Sequence, residues 1–109
     1  KLNRHHIEQY AYFMDKLAET PDGDATLLDN IVMLYGCGIS DGNKHLHTDL
    51  PCFIAGGGSG THHGGRHLAF EGDLPISNLQ LTMLQNFGVN ASALGDSTGT
   101  IKELFKAKV

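Results

Sequence analysis

Two short segments of this sequence carry most of the side chains that could do chemistry. The first is Ser40-Asp41-Gly42-Asn43-Lys44-His45-Leu46-His47-Thr48-Asp49. In an extended backbone alternate side chains share a side, so His45 and His47 are expected to point the same way and to be able to chelate one metal ion. Asp41 or Asp49 could add a hard oxygen ligand. Mixed nitrogen and carboxylate donors suit a divalent metal such as Zn, Mn or Fe better than Ca. The plainer alternative is a polar loop whose histidines bond to backbone carbonyls.

The second segment is Gly56-Gly57-Gly58-Ser59-Gly60-Thr61-His62-His63-Gly64-Gly65-Arg66-His67. Its glycines would let a backbone approach a ligand closely, and Arg66 could clamp an oxyanion. It lacks the Lys-Ser/Thr ending of a phosphate-binding loop and no helical pattern follows, which argues against a nucleotide cradle. His63 and His67 are four apart, but the glycines between them disfavour a chelating helix. A flap, or a loop ordered by neighbouring chain, is the alternative. No serine stands in a nucleophile-elbow context. Asp41 and Asp49 could share acid/base work, and nothing in their neighbourhood distinguishes them from solvated loop carboxylates. His5 and His6 read as exposed residues at the start of a helix.

These segments need elements to hold them. Ile7, Tyr10, Ala11, Met14, Leu17 and Ala18 recur at three- and four-residue spacing, which predicts an amphipathic helix of about four turns. Thr20-Pro21-Asp22-Gly23-Asp24 should end it. The run Ile31-Val32-Met33-Leu34-Tyr35, apolar on both faces and closed by Gly36, predicts a buried central strand. Cys52-Phe53-Ile54-Ala55 reads as a second strand. Some fifteen residues separate the two, far more than a hairpin needs. A further helix is expected from Ser77, where Ser77 and Gln80 have capping-box spacing, Leu79, Met83, Leu84 and Phe87 form a stripe, and Gly88 is the C′ residue. Thr100 and Glu103 repeat the box and suggest a last turn or two. If the strands were parallel neighbours, Cys37 and Cys52 would lie at opposite ends, too far apart for a bridge, leaving two buried thiols.

The composition bounds the answer. A chain of 109 residues fits one small domain. Nine of its fourteen glycines lie between Gly36 and Gly65, and five of its seven histidines between His45 and His67, so the loop-rich part is set between ordered flanks. Eight basic residues against twelve acidic ones, scattered along the chain, argue against a nucleic-acid footprint. No apolar run approaches the ~18 residues of a membrane span. Two cysteines are too few for a disulfide scaffold. Lys1 leads almost directly into the first helical pattern, without an initiator Met or a signal peptide, which reads as a mature or cut product. Two short strands, one of them buried on both faces, cannot satisfy their own edges. The chain is therefore expected to be completed by the remainder of its own polypeptide or by another chain.

A family resemblance rests on specific residues. His5-His6, Ala11-Tyr12-Phe13, Thr26-Leu27-Leu28-Asp29, Leu34-Tyr35-Gly36, Ser40-Asp41-Gly42-Asn43, His45, His47, Leu50-Pro51, Ala55-Gly56-Gly57-Gly58 and Gly65-Arg66-His67 resemble the C-terminal part of a family of exported bacterial proteins of unknown function. Asn78-Leu79, Leu84, Gly88 and Gly95-Asp96-Ser97-Thr98-Gly99 continue the likeness. That family typically carries a twin-arginine-type signal, which implies a periplasmic or secreted protein. More remotely, a helix, Leu-Leu-Asp-Asn, a buried strand and Ser-Asp-Gly in that order are similar to the C-terminal region of sulfatases and other alkaline-phosphatase-like hydrolases.

The resemblance implies an α/β fold. Residues 1–109 would be the C-terminal portion of an alkaline-phosphatase-like sandwich with a mainly parallel central sheet, incomplete in this chain. It also implies a metal-dependent hydrolase of phosphate or sulfate esters. A divalent metal would be held by Asp41, His45 and His47. His67 would be a further ligand or proton donor, and Arg66 an oxyanion clamp. Gly42 stands where those enzymes carry a ligand His or Asn, so the second ligand would fall to Asn43, His45 or His47. The superfamily's nucleophile would lie upstream. The alternative is a non-catalytic exported binding or assembly module, with a structural metal or none.

Overall fold

The computed structural model describes residues 1–106. The chain forms two compact units, Lys1–Met33 with Ile54–Gly64, and Leu34–Phe53 with Gly65–Val109.

In the first unit, helix α1 spans Leu2–Glu19. Straight-chain and alanine residues favour it, and i,i+4 and i,i+3 ion pairs Arg4–Glu8 (2.8 Å) and Lys16–Glu19 (2.7 Å) lie on its exposed surface. Thr20, extended at φ −95° and ψ 116° before Pro21, ends it. The expected apolar face packs only in part: Leu17 is buried and Tyr10 and Met14 half-buried, whereas Ile7, Ala11 and Ala18 are exposed, as are Tyr12 and Phe13 beside it. A short antiparallel hairpin follows, β1 (Pro21–Asp22) with β2 (Ala25–Thr26), turning through Gly23 at φ +63°.

Helix α2 (Leu27–Asn30) is a single turn held by a capping box. The Thr26 hydroxyl accepts from Asp29 N–H, and the Asp29 carboxylate accepts from Thr26 N–H at 2.9 Å and from the Thr26 hydroxyl at 2.7 Å. The hydroxyl bond foremost, then the backbone one, holds the Asp29 carboxyl below the usual aspartate range. The Thr26-x-x-Asp29 spacing is a capping signal legible in the sequence.

The strands depart from expectation. Residue 31 closes α2, its N–H donating to Leu27 O at 3.1 Å, while its carbonyl accepts from Gly58 N–H at 2.9 Å. Strand β3 therefore starts later, at Met33–Gly36, and is half-buried rather than buried on both faces. It pairs with β4 (Cys52–Ala55), which the sequence located correctly. The pairing is antiparallel. A parallel neighbour would need a crossover, usually helical, and residues 37–51 form turns instead. The expected alkaline-phosphatase-like α/β sandwich with a mainly parallel central sheet is thus corrected. The chain has three α-helices and two antiparallel two-stranded sheets, with no large parallel sheet among the described residues.

In the second unit, helix α3 spans Ile76–Asn86 with Pro75 as N-cap and no side-chain cap. Ser77 lies inside the first turn and donates to Asp96 Oδ1 at 2.6 Å, so the expected Ser77–Gln80 box does not form. The C-terminus is as expected. Gly88, at φ +87°, donates to Gln85 O at 3.0 Å, and Val89 N–H reaches Leu84 O at 3.0 Å, the two bonds of a Schellman motif. Among the described residues of this unit the buried apolar ones are Leu81, Ile101 and Leu104. Residues 101–105 make turns rather than the helical turn suggested at Thr100. No described helix is long and apolar enough to cross a membrane.

Candidate functional site

The Asp41–His47 segment is a tight turn rather than an extended strand. The half-buried Asp41 carboxylate accepts from Asn43 N–H at 2.9 Å and Lys44 N–H at 3.2 Å through Oδ1, the Asx arrangement that Ser-Asp-Gly-Asn favours. Leu46 N–H returns to Asp41 O at 3.3 Å, and Ser40 N–H to Leu46 O at 3.0 Å. To close this loop His45 takes φ +54° and Asp49 φ +50°, in the left-handed region that side chains seldom occupy. The alternation that would put His45 and His47 on one side is therefore lost.

His47 Nδ1 lies 2.6 Å from Gly38 O. A carbonyl only accepts, so Nδ1 carries the proton and the ring pins the loop to the residues just after β3. This is the plainer reading, a histidine bonded to backbone. Asp41, His45 and His47 are not gathered into a metal-binding group. Among the described residues no three or more His, Cys, Asp or Glu side chains stand close enough to hold an ion. The donors do not fit the three-ligand centre expected of them.

The glycine-rich segment has a different use from the one its composition suggests. Gly57 N–H donates to Leu28 O and Gly58 N–H to Ile31 O, both at 2.9 Å. A Cβ on Gly57 would lie 2.5 Å from Asp29 O, and one on Gly56, itself at φ +99°, would overlap Ile31 O. The bare backbone therefore docks on the carbonyls around α2. Thr61 donates to Gly58 O at 2.7 Å, and His62 Nδ1 lies 2.7 Å from Gly56 O with the residue 7% exposed. Both tighten the turn through Gly58–Gly60.

Arg66 and His67, the two residues expected at a reacting centre, are exposed in the second unit. Arg66 donates from Nη1 to Glu103 O at 2.8 Å and from Nη2 to Leu104 O at 2.9 Å. Its fork closes the turn in which Leu104 N–H donates to Ile101 O, and both of those residues are buried. His5 and His6 lie exposed on α1, as expected.

Sequence reasoning missed a polar cluster that organises the second unit. Asn78 donates from Nδ2 to Thr98 Oγ1 at 3.1 Å and accepts from Thr98 N–H at 2.8 Å. Thr82 donates to Asn78 O at 2.6 Å and accepts from Ile101 N–H at 2.8 Å. Asn78 and Thr82 are buried and these bonds satisfy them. The only advance signal was an Asn and a Thr four apart on a helix, opposite a Gly-Asp-Ser-Thr-Gly run. A shallow open hollow of ≈ 170 Å³ lies beside it, with Gln85, Thr100 and Phe105 among its walls. No protein-family model, curated protein or solved structure matches the chain.

Proposed function

We propose that this chain is a non-catalytic binding and assembly module whose apolar surface is completed by further polypeptide, its own or another chain's. One observation carries the reading. Among the described residues four apolar side chains are buried, Leu17, Leu81, Ile101 and Leu104, while twelve large apolar residues are exposed. On α1 the exposed set includes Tyr12 (60%) and Phe13 (52%), and in the second unit Phe53 (49%) and Phe87 (52%). Exposed large apolar side chains, where they join into a patch, mark association surfaces. The two sheets point the same way, because an isolated two-stranded pair is marginal in water and keeps two open edges.

The hydrogen-bond geometry favours this reading over ester hydrolysis. Arg66, Asp41 and His47, which hydrolysis would need at a reacting centre, engage backbone groups of their own unit. Binding of an apolar dye such as ANS tests the proposal. The chain alone is expected to enhance its fluorescence strongly in native buffer, and to lose that enhancement in denaturant. A dye-silent chain in native buffer would remove the ground for the proposal.

A further inference from the structure

Helix α1 stands off its own unit. Residues 1–9 are all exposed, and between Tyr10 and Glu19 only Tyr10, Met14 and Leu17 give up surface. The first two turns of the helix therefore project into solvent on every side. Helical stability in proteins comes mostly from packing an apolar face, and those turns have none to pack against. The apolar positions left uncovered run Ile7, Ala11, Met14 and Ala18, spaced four, three and four residues apart. That is the seam spacing of two helices wound together. Ile7, Ala11 and Ala18 are exposed and Met14 is half-buried. A large residue beside a small one makes the seam self-complementary. In an antiparallel pair Ile7 of one copy lies over Ala11 of the other, and the reverse contact follows by symmetry.

Charge selects both the direction and the occupant. Arg4 and Asp15 are eleven residues apart, about three helical turns, so they share one flank of the seam, one towards each end. Arg4 is bound only through Nε to Glu8 at 2.8 Å, on the exposed surface, which leaves its outer donors open to a second carboxylate. Asp15 is exposed and has no ion pair among the described residues. Laid antiparallel, Arg4 of each copy comes alongside Asp15 of the other, twice in the pair. A parallel pair would set Arg4 against Arg4 and Asp15 against Asp15.

We propose that α1 is a dimerisation arm whose occupant is a second copy of this chain, antiparallel to it, with Ile7 seated on Ala11 and Arg4 paired with Asp15 across a twofold axis. The inference rests on the reading of the chain as an assembly module and gives that module its partner.

Sedimentation equilibrium of the 109-residue chain over a concentration series tests it. A monomer–dimer equilibrium is expected. Asp15→Arg should raise the dissociation constant about tenfold, because it removes both symmetry-related pairs and sets like charges together. Arginine is a better helix former than aspartate, so helicity by circular dichroism should not fall in that variant. Arg4→Glu should weaken the dimer similarly. The two substitutions combined should return the constant to within about threefold of the starting value, since the pair is then remade with its charges exchanged. Ala11→Glu, at an exposed position, should leave the chain monomeric. A dimer indifferent to these substitutions, or single effects that add up in the double variant, would overturn the proposal. A chain that stays monomeric across the series yet still enhances ANS fluorescence would overturn it too, while leaving the wider assembly reading in place.

Discussion

Arg66 is the residue at which composition and geometry give the most different answers. An arginine beside glycines and histidines reads as an oxyanion clamp, yet its guanidinium closes the Glu103–Leu104 turn with two charge-assisted bonds. Those partners stand 37 and 38 residues away, beyond any local spacing signal. Arg66→Ala should speed hydrogen exchange of the Leu104 amide, which donates to Ile101 O, by about tenfold or more, since a charged hydrogen bond contributes ~1.5–3 kcal/mol. Arg66→Lys should recover little, because an ammonium lacks the fork. An unchanged Leu104 exchange rate in Arg66→Ala would contradict the structural role. His47 was legible in its plainer form, a ring bonded to a backbone carbonyl. What was not legible is the reach of Asp41, which folds the chain at Asn43 and Lys44 and so removes the alternation on which a His45–His47 chelate depends.

At the scale of elements, helical periodicity and glycine punctuation read well. The first helix, the Cys52–Ala55 strand and the Gly88 terminus of α3 are where apolar spacing and turn chemistry place them. Local signals failed where a distant partner outcompeted them. Ser77 had the spacing of a cap, but Asp96 takes its hydroxyl. The run 31–35 had the look of a central strand, but its first residue is committed to α2 and to Gly58. The glycine run is the element-scale feature with the sharpest consequence. Gly56→Ala would force a Cβ into Ile31 O from a positive φ, and should destabilise the first unit by about 2 kcal/mol or more. Gly64→Ala, where nothing lies within 4 Å, should be close to neutral. Limited proteolysis distinguishes them: faster cleavage near α2 in Gly56→Ala alone is expected, and equal rates in both variants would contradict the docking role.

At the scale of the whole chain, the expectation of incompleteness and the expectation of a parallel sheet have separate fates. The first came from short strands that cannot satisfy their own edges, the second from a resemblance to alkaline-phosphatase-like hydrolases. The parallel sheet fails because residues 37–51 turn back on themselves and offer no crossover. The need for completion is the proposal made above, and it starts from the large apolar side chains left exposed on α1 and in the second unit. No charge pattern or motif in the sequence could have distinguished these outcomes, since both place the same apolar residues in short strands. Calorimetry of the chain by itself tests the central claim most directly. A protein complete in itself unfolds with an enthalpy of ~0.7 kcal/mol per residue near 60 °C. The account expects a broad transition with well under that value per residue, whereas one sharp, two-state transition with the full enthalpy would contradict it.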